Sequence, residues 1–279
     1  PGTREKAELG AGIENTSVQI AGRAPEPMAE AARMVADMGA RVIDINMGCP
    51  AKKVTGGWAG SALMRDLDHA VSLVEAAVAA VKVPVTVKMR LGWDDASRNA
   101  PELARRAVAS GARLITVHGR TRQQFYKGVA DWVAIRAVRD VGDFPLVANG
   151  DIHGLDDARA CLAQSGADLV MVGRAALGKP WLVGAIGAGL DGRTVPAPTL
   201  AQMHAVAREH YEGLLSLLGK AHGVRHARKH LAAYADEATQ SGGTPDAEAR
   251  RLLLTTDDPA QALAALAGLF SPACGRAAA

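Results

Sequence analysis

The sequence predicts an α/β fold, a (β/α)8 barrel with six of its eight strands present, followed by an all-helical C-terminal domain. Three observations predict it. Short apolar runs alternate with longer helical patterns from residue 17 to residue 175. Chemically distinctive residues recur at the C-terminal end of each run. After about residue 196 the strand patterns stop and only helical ones continue.

The strand candidates are "SVQIAG" (17–22), "RVIDINMG" (41–48), "PVTVKMR" (84–90), "LITVHGR" (114–120), "PLVANGD" (145–151) and "LVMVGRA" (169–175). Helical stretches such as "EPMAEAARMVADMG" and "NAPELARRAVASG" lie between them. In the second of these, Asn99 is placed to cap, Pro101 suits the first turn and Gly111 suits the stop. The strands read as apolar on both faces, the pattern of a parallel sheet covered by helices.

Repeated βα units fit a doubly wound sheet or a closed barrel. The strand ends decide: Gln19; Asp44, Asn46 and Cys49; Lys88 and Arg90; His118 and Arg120; Asn149 and Asp151; Gly173 and Arg174. A barrel gathers every strand end on one face, whereas an open sheet gathers polar groups at its switch point. The pattern is two strands short of eight, and nothing ahead of Ser17 supplies them, so the chain is expected to lack two N-terminal βα units. The helical segments "TLAQMHAVAREHYEGLLSLLG", "GVRHARKHLAAYADEA" and "DPAQALAALAGLF" form the second domain. The expected boundaries are 1–193 and 194–279.

Composition excludes several classes. Of 279 residues, 48% are hydrophobic and 22% charged, values of a globular protein rather than a disordered one. No apolar run approaches the roughly 18 residues of a membrane span. The start, "PGTREKAELGAG", resembles neither a signal nor a transit peptide. The three cysteines share no CxxC spacing, which argues against a zinc site or a disulfide framework and makes a reducing cytoplasm the expected compartment. A net charge of +3 is too small to identify a nucleic-acid partner by itself, so the placement of charge matters.

Cys49 lies past a strand end between Gly48 and Pro50, with Lys52 and Lys53 behind it. Nearby cations favour a thiolate nucleophile. A thiol near the ordinary value of about 8.5 instead serves as a general acid, and the residues leave both roles open. Cys161, in the helical "ARACLAQSG", reads as packing. Asn149-Gly150-Asp151 and Gly173-Arg174 stand where barrel loops hold phosphates. Lys88 places a cation inside a strand, which is costly without an anion or cofactor to accept it. With His118, Gln19 and Asn149 it forms a candidate cofactor set. Arg225, Arg228 and Lys229 share a helical face. Such a face is commonly just solvated; Lys52, Lys53, Arg120 and Arg122 would add positive charge at the barrel mouth, and a shared stripe would suit phosphate backbones.

These stretches resemble the tRNA-dihydrouridine synthases, most closely the bacterial DusB-like branch. The resemblance is carried by "VQIAG", "IDINMGCPAKKV", "AGSAL", "VTVKMRLGW", "ITVHGRTR", "VANGDI", "VMVGRAALGKPW" and "ARKHLAAY", in that order. It implies a (β/α)8 barrel binding flavin mononucleotide (FMN), with a C-terminal helical tRNA-binding domain. The implied activity is reduction of D-loop uridines in tRNA to dihydrouridine, with NADPH or NADH as reductant, by a protein that is a monomer when full length. It makes Cys49 the catalytic residue, the proton donor to uracil C5. Gln19, Lys88, His118, Asn149, Gly150, Asp151, Gly173 and Arg174 become flavin contacts. Lys52, Lys53, Arg120, Arg122, Arg225, Arg228 and Lys229 become the tRNA-facing surface. No metal is implied. Two departures stand out: the family's first two βα units have no counterpart, and Ala232 or Ala233 stands where an aromatic residue is common. A small-molecule flavin reductase of the dihydroorotate or enoate type would share the phosphate loops but not "CPAKKV". A non-catalytic RNA-binding remnant would keep only the basic surfaces.

Overall fold

Six parallel strands form one sheet in chain order: β1 (Ser17–Ile20), β2 (Val42–Met47), β3 (Val85–Arg90), β4 (Ile115–His118), β5 (Leu146–Asn149) and β6 (Leu169–Met171). The structure, a computed structural model, describes residues 16–273. Each strand joins the edge left by its predecessor, so the order has no reversal and no switch point of the doubly wound kind. These are six consecutive βα units of a (β/α)8 barrel. The expectation that no strand precedes Ser17 falls on residues 1–15, outside the described ones.

The alternation along each strand corrects the reading of two apolar faces. In β2, Ile43, Ile45 and Met47 are fully buried, while Asp44 and Asn46 point the other way. In β3 the split is Val85, Val87 and Met89 against Thr86, Lys88 and Arg90. Parallel pairing keeps the rows aligned, with Gln19 beside Asp44 beside Thr86, Asn46 beside Lys88 beside Thr116, and Arg90 beside His118 beside Asn149. One face of the sheet is therefore apolar and the other carries the polar residues.

The helices α1 (Pro25–Asp37), α2 (Lys52–Thr55), α3 (Leu67–Ala80), α4 (Ala100–Ala109), α5 (Trp132–Arg139) and α6 (Leu155–Ser165) follow the strands in turn. Neighbours pack side by side, α1 on α3, α3 on α4 and α4 on α5, as an outer layer over the apolar face. Their starts are chemically specified. Pro25 opens α1, the Asp66 carboxylate accepts the His69 N–H to cap α3, and Asp131 accepts the Ala134 N–H to cap α5. Asn99 does not cap α4 as expected. Its Nδ2 donates to the Met64 carbonyl at 2.8 Å, so the side chain ties two loops together.

Contacts divide the chain into two compact units: the first ends at Val172, and the second begins at Gly173 and includes His153–Leu155. The second carries α7 (Leu182–Leu190), α8 (Leu200–Leu218), α9 (Lys220–Gln240), α10 (Ala247–Thr255) and α11 (Pro259–Leu269). Thr199 and Gln202 form a capping box that starts α8. Gly219 turns the chain into α9, and a Cβ at Gly223 would stand 2.8 Å from the Leu214 carbonyl oxygen, so the two helices meet closely. Met203, Ala207 and Tyr211 pack with Val224, Ala227, Leu231 and Tyr234, and Leu253 and Leu266 close this core. Helix α10, "AEARRLLLT", adds to the three helical segments expected here; its Asp246 cap and Leu253 anchor are local.

The burial pattern sets an expected contrast. Ile45→Ala should cost about 2–5 kcal/mol in urea denaturation. Met34→Ala, on the exposed side of α1, should stay within about 0.5 kcal/mol.

Candidate active site

The polar row of the sheet ends in a hydrogen-bonded chain that leads to Cys49. Thr86 Oγ1 donates to Asp44 at 2.7 Å, Gln19 Nε2 donates to the other Asp44 oxygen at 2.6 Å, and Asn46 Nδ2 donates to Gln19 at 2.7 Å. Burial raises the Asp44 pKa, and the bonds from Thr86 and Gln19 with the Lys88 charge only partly offset it. Asn46 Oδ1 then accepts the backbone N–H groups of Gly48 (3.0 Å) and Cys49 (2.9 Å).

Two further ties hold this loop. The Cys49 carbonyl accepts from the Ser61 N–H (3.1 Å) and Ser61 Oγ (2.8 Å). Buried Arg90 donates through Nε to the Gly48 carbonyl at 2.8 Å and through Nη1 to the Thr121 and Phe125 carbonyls, both at 2.9 Å. Gly60 is required here: its φ is +61°, and a Cβ would stand 2.9 Å from the Cys49 carbonyl oxygen. The thiol thus sits on a backbone fixed from three directions.

Lys88 Nζ donates to Asn149 Oδ1 at 3.2 Å, and Asn149 Nδ2 donates to the Met171 carbonyl at 2.8 Å. Burial, with the nearby Arg90 charge, lowers the Lys88 pKa to about 8 against the pull of Asp44. Burial followed by the charges of Arg90, Lys88 and Arg120 lowers His118 to about 3, so its ring is neutral at ordinary pH. Arg120 Nη1 stands 3.2 Å from His118 Nε2. A guanidinium only donates, so Nε2 accepts and the ring proton is on Nδ1.

Arg120 does not face solvent as a phosphate contact would. It is 2% exposed and grips Asp151 with two bonds, at 2.6 and 3.0 Å, while also donating to the Lys127 and Gly128 carbonyls. Asp151 accepts the Ala130 N–H at 2.8 Å as well. Its own φ is 52°, and Gly150 before it has φ 120°, where a Cβ would stand 2.7 Å from the Ala130 side chain. Gly150 is thus required in this turn, and the bonds from Arg120 and the Ala130 N–H hold Asp151 at its positive φ.

The remaining expected residues are spread over both units. Lys52 and Lys53 are exposed on α2, directly after the Cys49 loop. Arg122 lies over the Trp93 ring, 4.7 Å from its centre. Gly173 and Arg174 belong to the second unit, at the start of a short 3-10 turn. Arg225 and Lys229 are exposed on α9. Arg228 departs from the expected solvent-facing trio, donating to Asp257 at 2.8 Å and to the Thr255 carbonyl at 3.1 Å, which pins the α10–α11 loop. Cys161 is fully buried, and burial pushes its thiol up to about 11. Among the described residues no cluster of His, Cys, Asp or Glu is arranged to hold a metal ion. The bracing roles of Arg90, Asn46 and Ser61 are not apparent from sequence reasoning. Asn46, placed to accept the N–H groups that follow it in an Asx-type turn, carries the one readable signal.

Polar groups gathered at the C-terminal ends of parallel barrel strands, around a thiol on a braced loop, define the class of α/β-barrel proteins that carry their chemistry on that face. The chain belongs to the dihydrouridine synthase (Dus) family, whose model it matches over residues 3–270. It is 54% identical over 274 residues, 97% of this chain and 82% of the relative, to a "Probable tRNA-dihydrouridine synthase" of Rhodobacter capsulatus. A protein of the same name from Rhizobium leguminosarum bv. phaseoli is 52% identical over 92% of this chain and 78% of its own. The "tRNA-dihydrouridine synthase B" of Xanthomonas axonopodis pv. citri is 47% identical over 86% of this chain and 75% of its own.

The Arg120–Asp151 pair yields a pH-dependent expectation. Burial alone would raise the Asp151 carboxyl, but the bonds from Arg120 and the Ala130 N–H outweigh it and hold the pKa below the usual carboxylate range. Its contribution is present above the unfolded value of about 3.9 and is lost as the pH falls through the lower folded value. Asp151→Asn strands a buried guanidinium and should cost about 3–5 kcal/mol in denaturation at pH 7. The gap to the wild type should narrow below about pH 4.

Proposed function

We propose that the chain reduces uridines in the D-loop of tRNA to 5,6-dihydrouridine, with FMN as resident cofactor and NADPH or NADH as reductant. The observation that carries this reading is the Cys49 loop, braced by Asn46, Ser61 and Arg90, in a chain of this family. The residues present fit a flavin. Lys88 is a buried cation whose hydrogen bond goes to an uncharged amide oxygen, and burial lowers its pKa despite the pull of Asp44. An anionic ring system would supply negative charge there. Gln19, Lys88, His118, Asn149 and Gly150 would hold the ring, with Asp151 fixing the turn. Gly173 and Arg174 would take the phosphate.

The chemistry supplied by FMN, when bound, is hydride transfer to C6 of the uracil. Cys49 Sγ–H gives its proton to C5, which completes the saturated base and leaves a thiolate to be reprotonated from water. The neutral His118 ring contributes a donor through Nδ1 without adding charge. Lys52, Lys53 and Arg122 on the first unit, and Arg225 and Lys229 on the second, would meet the tRNA backbone. Residues 194–279 would form the tRNA-binding domain. No described helix is long and apolar enough to cross a membrane, and the cytoplasm is the compartment that a tRNA substrate favours.

Two experiments test the reading. With Cys49→Ala, NADPH should still reduce bound flavin, because that step needs no proton at uracil C5. Single-turnover reduction of unmodified tRNA should fall about 10²–10⁴-fold, the scale for losing a positioned general acid. Cys161→Ala should react normally, and equal losses in both variants would remove Cys49 from the chemistry. Separately, Arg225→Ala with Lys229→Ala should weaken tRNA binding and flatten its log–log salt dependence by about one unit for each phosphate no longer neutralised. Unchanged affinity across salt concentrations would return this face of α9 to plain solvent.

A further inference from the structure

The loops after β2, β3 and β4 carry a feature that the proposed chemistry does not use. Rings and guanidinium groups alternate there. The Arg65 guanidinium lies 5.2 Å from the Trp58 ring centre and 5.0 Å from that of Trp93, and Arg122 lies 4.7 Å from the Trp93 centre. Among the described residues neither arginine is paired with a carboxylate, although acids lie close by in sequence. Asp66 caps α3, Asp68 pairs with Arg106, Asp94 caps on the Ser97 N–H, and Asp95 pairs with Arg98. A guanidinium held by ring faces keeps its charge and its N–H edges.

The backbone here is stiff and specialised. The Arg122 N–H donates to the Gly92 carbonyl at 2.9 Å and the Gln123 N–H to the Trp93 carbonyl at 3.0 Å, which zips the β3 and β4 loops together. Trp58, in the Cys49 loop on the far side of α2, is 52% exposed at φ 57°. Bulky residues rarely adopt that conformation, so it needs a compensating role. Phe125, at φ 55° and 41% exposed, repeats the pattern, with Tyr126 46% exposed beside it. Among the described residues of the first unit, these three are the exposed Trp, Tyr and Phe side chains, and all stand on loops of the face that carries Cys49.

Protein interfaces share the enrichment in rings and arginine but are depleted of lysine. Alternating rings and guanidinium groups without carboxylate partners, with exposed Lys52 and Lys53 a few residues ahead of Trp58 in the chain, suit unpaired bases with their phosphates. We propose that Trp58, Arg65, Trp93 and Arg122 form a stacking platform for an unpaired nucleobase of the RNA next to the reacting one. The inference rests on the reading that the chain acts on RNA. Trp58 supplies the open ring face, Trp93 the inner rung, and the two arginines meet the adjoining phosphates.

The test uses the full chain and a fluorescently labelled, unmodified tRNA transcript, with affinity read by anisotropy. A second series of transcripts carries one abasic nucleotide walked through the unpaired loop. Trp58→Ala should bind about 5- to 100-fold more weakly, the effect of removing one stacked base. Trp58→Phe should recover most of that loss, and melting temperatures should match the wild type. One abasic position should weaken the wild type by a similar factor and add nothing in Trp58→Ala, because the two changes delete the same interaction. Unchanged affinity in Trp58→Ala, or additive losses at every abasic position, would overturn the platform while wild-type tRNA binding stands. A wild-type chain that binds no tRNA would overturn the RNA reading itself, and the platform with it.

Discussion

Every feature of the site depends on the register of the parallel strands. A one-residue slip between two strands exchanges the faces of one of them. Asp44 and Asn46 would then lie under the helices, and Ile43 and Ile45 would replace them in the hydrogen-bonded chain. The apolar row prevents this: Ile43, Ile45 and Met47 of the slipped strand are fully buried and would all be displaced, as would Val87 and Met89 if β3 slipped or Ile115 and Val117 if β4 did. The helical layer thus fixes the polar layer without touching it. Once the rows align, Gln19, Asp44 and Thr86 stand abreast, and their side chains bond across the strands without leaving their own positions.

From that alignment follows the stiffness of the Cys49 loop. Asn46 is the last polar residue of β2, and it turns its carbonyl oxygen back on the two peptide groups that follow. Arg90, at the same end of β3, reaches the Gly48 carbonyl from the neighbouring strand. Neither bond depends on the thiol. A side-chain change at residue 49 therefore leaves the scaffold in place, and a change at Asn46 or Arg90 moves the thiol without altering it. The electrostatics divide in the same way: Arg120 is neutralised by Asp151, whereas Lys88 donates to an amide oxygen that carries no charge.

Much of this is legible in the sequence, for identifiable reasons. Strand order and the barrel class follow from polar residues at every strand end, because only a barrel uses all its strand ends alike. Cys49 is legible because glycine and proline mark a loop whose path is set. The two-sided character of the strands is harder to read: Lys88 and Arg90 look like end features, yet they belong to a polar row that starts at Thr86. The destinations of the arginines are not legible. Arg120 and Arg228 have the same local sequence signature as Arg122 and Arg225, and their partners, Asp151 and Asp257, lie about 30 residues away along the chain. Long-range pairing leaves no periodic trace. The pairing of Trp58 with Arg65 and Trp93 is equally silent, since an arginine that stacks on a ring looks, in sequence, like one left in water.

The cation inside the sheet also ties the stability of the fold to pH. Lys88 titrates near 8 when folded, against 10.5 for an unburied lysine. Between those values the unfolded chain holds more protons than the folded one, so stability climbs with pH. Near neutrality the folded chain bears the whole cost of a dehydrated charge. Any anion that bound beside Lys88 would offset that cost, and would stabilise the fold by the free energy of its own binding.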